Sequence, residues 1–143
     1  MKTETKLVHF SEGIELESGE KLNSFDLMIE TYGELNEGKS NAVLLCHAFS
    51  GNHHAAGSSE DFGTGWWDQL VGPGKSIDTN KYFIVCCNNL GGCAGSSGPS
   101  SINPSSQKIF GKSFPQVSVL DWVNSQKMLM DKLNIECWHF VAG

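Results

Sequence analysis

The sequence predicts an α/β fold in which a mixed sheet opens antiparallel, continues with parallel strands and closes through a crossover helix. Three observations carry this reading. Ala42 to Cys46 and Tyr82 to Cys87 are short apolar runs without alternation, the pattern of parallel strands buried on both faces. Upstream, apolar and polar residues alternate between Ile14 and Tyr32, as in an antiparallel sheet. Downstream, an apolar stripe of helical period leads to a third run, Cys137 to Ala142. Ligands in such sheets bind outside the carboxyl ends of the strands, so the turns after these runs are the candidate site.

Taken in order, Ile14 and Leu16 alternate with Glu15 and Glu17, and Ser18-Gly19-Glu20 supplies a turn. Phe25, Leu27, Ile29 and Thr31 then alternate with Asp26, Met28, Glu30 and Tyr32, predicting a hairpin. Asn36 to Asn41 is a polar turn before the strand at Ala42, and His47 to Gly51 falls at that strand's carboxyl end. Trp66 to Val71 predicts a short helix ahead of Gly72-Pro73-Gly74, its two indoles packing onto the sheet. A second glycine-rich turn, Asn88 to Gly98, follows the strand at Tyr82.

The clearest helix follows Phe114-Pro115. Val119, Trp122, Val123, Gln126, Leu129, Met130 and Leu133 recur at helical spacing, Ser118 with Asp121 resembles a capping box, and Asn134 is a stop. This helix should lie on the sheet and return the chain to a buried strand near Cys137. No shift in composition marks a linker, so residues 1–143 read as part of one domain.

The net charge of −6, from 10 basic and 16 acidic residues, argues against a nucleic-acid partner, which requires clustered Lys and Arg. The charged amino terminus lacks the apolar core of a signal peptide, and no apolar run approaches a membrane span. These features predict a soluble, cytoplasmic protein. The cysteines number five, and Cys46, Cys86, Cys87 and Cys137 fall in predicted buried strands. A disulfide framework is not expected.

Several local patterns invite chemistry and are weaker than they look. Gly91-Gly92-Cys93-Ala94-Gly95 has the spacing of a nucleophile elbow, yet Ser96-Ser97-Gly98-Pro99 follows where a helix must start. Gly74-Lys75-Ser76 echoes a phosphate loop without the preceding glycine, because Gln69 stands in its place. His47, His53 and His54 with Asp61 suggest a metal, but adjacent histidines generally point apart and no metal is expected.

One resemblance spans the chain from about Phe25 onward. His47-Ala48-Phe49-Ser50-Gly51, Gly65-Trp66-Trp67, Gly72 to Thr79, Asn88 to Cys93, Gly95 to Pro99 and Asp121-Trp122-Val123 resemble homoserine O-acetyltransferases in order and spacing, with Phe49 where leucine is usual. The resemblance implies the amino-terminal part of an α/β-hydrolase fold. It also implies transfer of acetyl from acetyl-CoA, through an acyl-serine, to the hydroxyl of L-homoserine in methionine biosynthesis. By that pattern Gly143 opens the elbow whose serine lies two residues further on, and the catalytic Ser, Asp and His are outside these 143 residues. The catalytic contribution left to this chain is the backbone amide of Phe49, in the oxyanion hole. The resemblance further implies a homodimer with no bound cofactor and no membrane contact. Succinyl transfer, serine as acceptor, an esterase of the same fold and an inactive truncated product are the alternatives.

Overall fold

A computed structural model describes residues 1–143. β1 (Thr3–Phe10) and β2 (Phe25–Tyr32) pair antiparallel, with Thr3 opposite Tyr32 and Phe10 opposite Phe25. β3 (Ala42–Leu45), β4 (Phe83–Cys87) and β5 (Phe140–Ala142) run parallel to one another. The sheet order is β1-β2-β4-β3-β5, and the direction changes at the antiparallel β2 and β4 pair.

β3 and β4 are buried on both faces, as their unbroken apolar runs predict. On one face Phe10, Phe25, Leu27, Ile29, Val85 and Cys87 pack beneath Leu129 of α1 (Val119–Lys132). On the other face Tyr32, Val43, Leu45, Ile84 and Cys86 pack beneath Ala55, Ala56, Val71 and Ile77, from the long connection between β3 and β4.

The hairpin expectation needs correction. β2 alternates as predicted only as far as Ile29, since Glu30 to Tyr32 are all buried, and its hairpin partner is β1, where only Val8 and Phe10 are buried and the first half faces water. Ile14–Glu15 pairs instead with Lys21–Leu22 in a two-residue ladder. Ile14, Leu16 and Leu22 from this small excursion cap the helix-side core.

The capping box forms. Ser118 Oγ accepts the Asp121 N–H at 3.2 Å, and Asp121 Oδ2 accepts the Ser118 N–H at 2.8 Å. Asp121 Oδ1 also accepts the Glu17 N–H at 2.9 Å, which is how a carboxylate is fully buried here. That anchor turns the helix so that Asp121, Ser125, Gln126, Leu129 and Met130 face inward. Val119 and Val123, predicted for the inner stripe, are exposed as a result.

Trp66 to Val71 is not a helix. Successive turns form it, with Asp68 N–H on Gly65 O and Leu70 N–H on Trp67 O, and the chain then enters a parallel ladder of Val71–Gly72 with Ile77–Asp78. Pro73 offers no N–H to extend a helix beyond Gly72. Both indoles still pack on the sheet, 5.0 Å apart between ring centroids. β5 is also shorter than expected and is an edge strand, with Val141 exposed. Cys137 lies outside it and is exposed rather than buried.

Candidate active site

A cleft of about 360 Å³ opens at the carboxyl ends of β3 and β4. Its walls are the turn after β3 (His47 and Phe49 to Gly51), the turn after β4 (Asn89 to Cys93) and the segment leading into α1. A larger cleft of about 810 Å³ lies by Glu37 to Ser40 and Asn134 to His139, just before β3 and β5. That is the amino end of the parallel strands, the end where such sheets do not build their sites.

Phe49 sits on the rim and is 92% exposed, and no protein group accepts its backbone N–H. Its turn is held by His47. The Asn89 N–H donates to His47 Nε2 at 3.2 Å, and His47 Nδ1 lies 2.7 Å from Ala48 O. The Gly51 N–H closes the turn onto the same Ala48 oxygen at 2.8 Å. The facing turn is held from α1, where Trp122 Nε1–H donates to Leu90 O at 2.8 Å and Gln126 Nε2–H donates to Asn89 Oδ1 at 3.2 Å. Ser96 and Ser97 tie the same loop to β2, each hydroxyl oxygen accepting a backbone N–H at 2.9 Å from Met28 and Asp26 respectively.

The cleft pairs no side-chain nucleophile with a base. Cys93 is exposed there, but both ring nitrogens of His47 are already engaged, and the segment after Cys93 is turn rather than helix. Burial pushes the Cys46 and Cys86 thiols up and that of Cys87 to about 12, which keeps these three protonated and inert. What this rim offers chemically is a free amide donor in a braced turn, suited to a developing oxyanion.

The other sequence candidates are engaged elsewhere. Lys75 Nζ donates to Asp68 O and Asp68 Oδ2, so it is tied into its own loop rather than free for a phosphate. With the Gly57 N–H first and Lys75 second, these bonds hold the Asp68 carboxyl below the usual range. His54 lies behind the cleft on the second face of the sheet. Its Nδ1 is 2.8 Å from Glu30 Oε2 and its Nε2 is 3.1 Å from Gly63 O. Both partners are oxygen acceptors, one a carboxylate and the other a backbone carbonyl.

Tyr32 completes that network, donating to Glu30 Oε2 at 2.9 Å and accepting the Ala55 and Ala56 N–H groups at 2.8 and 3.0 Å. Burial, chiefly, drives its hydroxyl far above the ordinary tyrosine value. His53 is buried beside it, and desolvation lowers its pKa. No three of the His, Cys, Asp and Glu side chains are grouped to hold a metal ion. Nor is any helix long and apolar enough to cross a membrane.

Parallel strands with glycine-rich turns at one rim, and a free amide on the first of those turns, define part of an α/β-hydrolase fold. The structure superimposes on a homoserine O-acetyltransferase from Bacillus anthracis with a TM-score of 0.89 and 36% identity, covering 99% of this chain and 39% of that one. It superimposes on esterase E22 with a TM-score of 0.87 and 34% identity, covering 98% of this chain and 40% of that one. In sequence the chain is homologous to the homoserine O-acyltransferases. It is 61% identical over 140 residues to a homoserine O-succinyltransferase of Hahella chejuensis, covering 96% of this chain and 36% of the relative. The chain therefore spans little more than a third of the length of the curated relatives it matches. No protein-family model matches it.

Proposed function

We propose that this chain is the oxyanion-hole portion of a homoserine O-acyltransferase that takes succinyl from succinyl-CoA and passes it to L-homoserine. The observation that carries the reading is 61% identity over 140 residues to a protein of that name, joined to the unpaired Phe49 amide at the rim. Acetyl-CoA, the donor implied by the sequence resemblance, is the second reading, favoured by the fit to the Bacillus anthracis enzyme at 36% identity.

In this reading a serine hydroxyl from the rest of the enzyme attacks the thioester carbonyl, loses its proton to a histidine and forms a tetrahedral oxyanion. Collapse expels CoA as its thiol and leaves an acyl-serine. The homoserine hydroxyl then attacks the ester through a second oxyanion, and the serine is released with its proton restored. The Phe49 N–H stabilises both oxyanions, and loss of one such donor lowers rate by about 100- to 1000-fold. Gly143 suits the start of the elbow, because a Cβ there would lie 2.5 Å from Cys46 O. The acyl-CoA is a substrate and no resident cofactor is required. The reading carries with it a homodimer and a cytoplasmic location, where five free cysteines also stay reduced.

The test is CoA release by the complete gene product, with each acyl-CoA, with and without L-homoserine. Homoserine-dependent release with a higher kcat/KM for succinyl-CoA is expected. Release that ignores homoserine would instead identify a hydrolase, and a preference for acetyl-CoA would restore the second reading.

A further inference from the structure

We propose that His47 is the positioning residue of the oxyanion hole, fixing the direction of the Phe49 N–H through a hydrogen bond to the carbonyl of the same peptide unit. The inference rests on the acyl-transfer reading of this site and adds to it a residue that touches neither substrate nor nucleophile.

The protonation pattern follows from the partners. The Asn89 N–H can only donate, so His47 Nε2, 3.2 Å away, is the acceptor. A neutral ring then carries its proton on Nδ1, and Ala48 O, 2.7 Å from Nδ1, can only accept. One tautomer satisfies both contacts.

Ala48 C=O and Phe49 N–H share one planar peptide unit, and none of the peptide bonds is cis. In a trans unit the two groups point in opposite directions. Holding the carbonyl therefore aims the amide. A second bond from the Gly51 N–H at 2.8 Å holds the same oxygen, so the carbonyl has two donors while the amide has no acceptor. A polar group left free beside a carbonyl held twice is what a preorganised donor requires.

The brace continues into the scaffold. Asn89 is gripped at its side chain by Gln126, and Leu90 at its carbonyl by Trp122, both from α1. His47 thus links the rim turn to a helix through a neighbour 42 residues away in sequence. Glycine at 51 is part of the device. A Cβ there would lie 2.9 Å from His47 Cβ and 3.1 Å from its Nδ1, displacing the ring.

Two isosteric substitutions separate the two contacts. In His47→Asn the side-chain amide nitrogen falls near the place of Nδ1 and can still donate to Ala48 O, but it cannot reach Asn89. In His47→Gln the terminal amide reaches Asn89 and loses Ala48. Steady-state acyl transfer by the full-length gene product should show kcat for His47→Gln lower by on the order of 100-fold with KM little changed, since a misaimed donor costs rate rather than binding. His47→Asn should recover kcat to within about 5-fold of the parent. Equal losses in the two variants, or losses that follow thermal midpoint or appear in KM, would overturn the inference and leave His47 a packing residue. If the parent protein transfers no acyl group, the functional reading fails by itself. Nitrogen-15 spectra of the imidazole groups then decide the brace, with a proton on Nδ1 of His47 expected and a proton on Nε2 alone overturning it.

Discussion

The two faces of the sheet are covered by different means. Beneath α1 the contact is apolar, with Phe10 stacked on Phe25 at 4.5 Å and Leu27, Ile29, Val85 and Leu129 closing around them. Beneath the connection between β3 and β4, apolar residues surround a polar centre of Glu30, Tyr32 and His54, each no more than 5% exposed. The reason lies in the covering element. A helix satisfies its own backbone, so it asks the sheet only for apolar surface. An irregular loop brings unpaired backbone groups into the interior, here the Ala55 and Ala56 N–H groups and Gly63 O, and the sheet side must supply polar partners.

The strongest way to break this comparison is to remove the centre of the polar face. Glu30→Ala leaves the Tyr32 hydroxyl and His54 Nδ1 without their shared acceptor. Loss of one partner from a buried pair costs about 3–5 kcal/mol, and urea denaturation should show a loss of that size. On the apolar face Leu129→Met, which conserves volume, should cost less than about 1.5 kcal/mol. Comparable losses at the two positions would mean that the loop is held chiefly by apolar contact, as the helix is held against the sheet.

A second measurement sharpens the contrast through pH. His53 is buried on the loop side, packs edge-on against Phe62 at 5.3 Å, and has no partner for Nδ1. Desolvation lowers its pKa in the folded state, while the unfolded chain keeps the ordinary value of about 6.5. Above that value neither state binds the proton and stability does not change. As pH falls below it the unfolded state binds first, so stability declines until the folded pKa is passed. Urea midpoints taken from pH 7.5 downward should fall first in this window, and His53→Leu should flatten the decline. Asp68 and Asp78, whose carboxyls are held low by backbone N–H donors, add their losses only in stronger acid.

The same contrast explains how much was legible in the sequence. β3 and β4 are visible as unbroken apolar runs and α1 by its helical period, and the capping box at Ser118 and Asp121 is a local pattern. The polar face leaves none. Glu30 and Tyr32 occupy the polar positions of the alternation in β2 and read as solvent-facing, yet both are buried because the loop folds over them. β1 was missed because its outer half is exposed and only Val8 and Phe10 point inward. At the rim, the Phe49 turn was legible through family resemblance and the cleft forms around it. The His47 to Asn89 bridge was not, since its partners lie 42 residues apart and one of them is a backbone group with no sequence signature.

The smallest expected effect tests whether the helix side depends on polar anchors at all. Ser118 Oγ accepts the Asp121 N–H, and its hydroxyl donates to Glu17 at the surface. Ser118→Ala removes both bonds but spares the other half of the box, because Asp121 still accepts the backbone N–H groups of Ser118 and Glu17 at 2.8 and 2.9 Å. Loss of a helix N-cap costs about 1 kcal/mol, so the urea midpoint should fall slightly with an unchanged slope. The helix itself should remain, because Leu129 and Met130 still hold it to the sheet. A loss approaching that of Glu30→Ala would show that polar anchoring governs this face too. The division between a face packed by volume and a face pinned by hydrogen bonds would then fail on its simpler side.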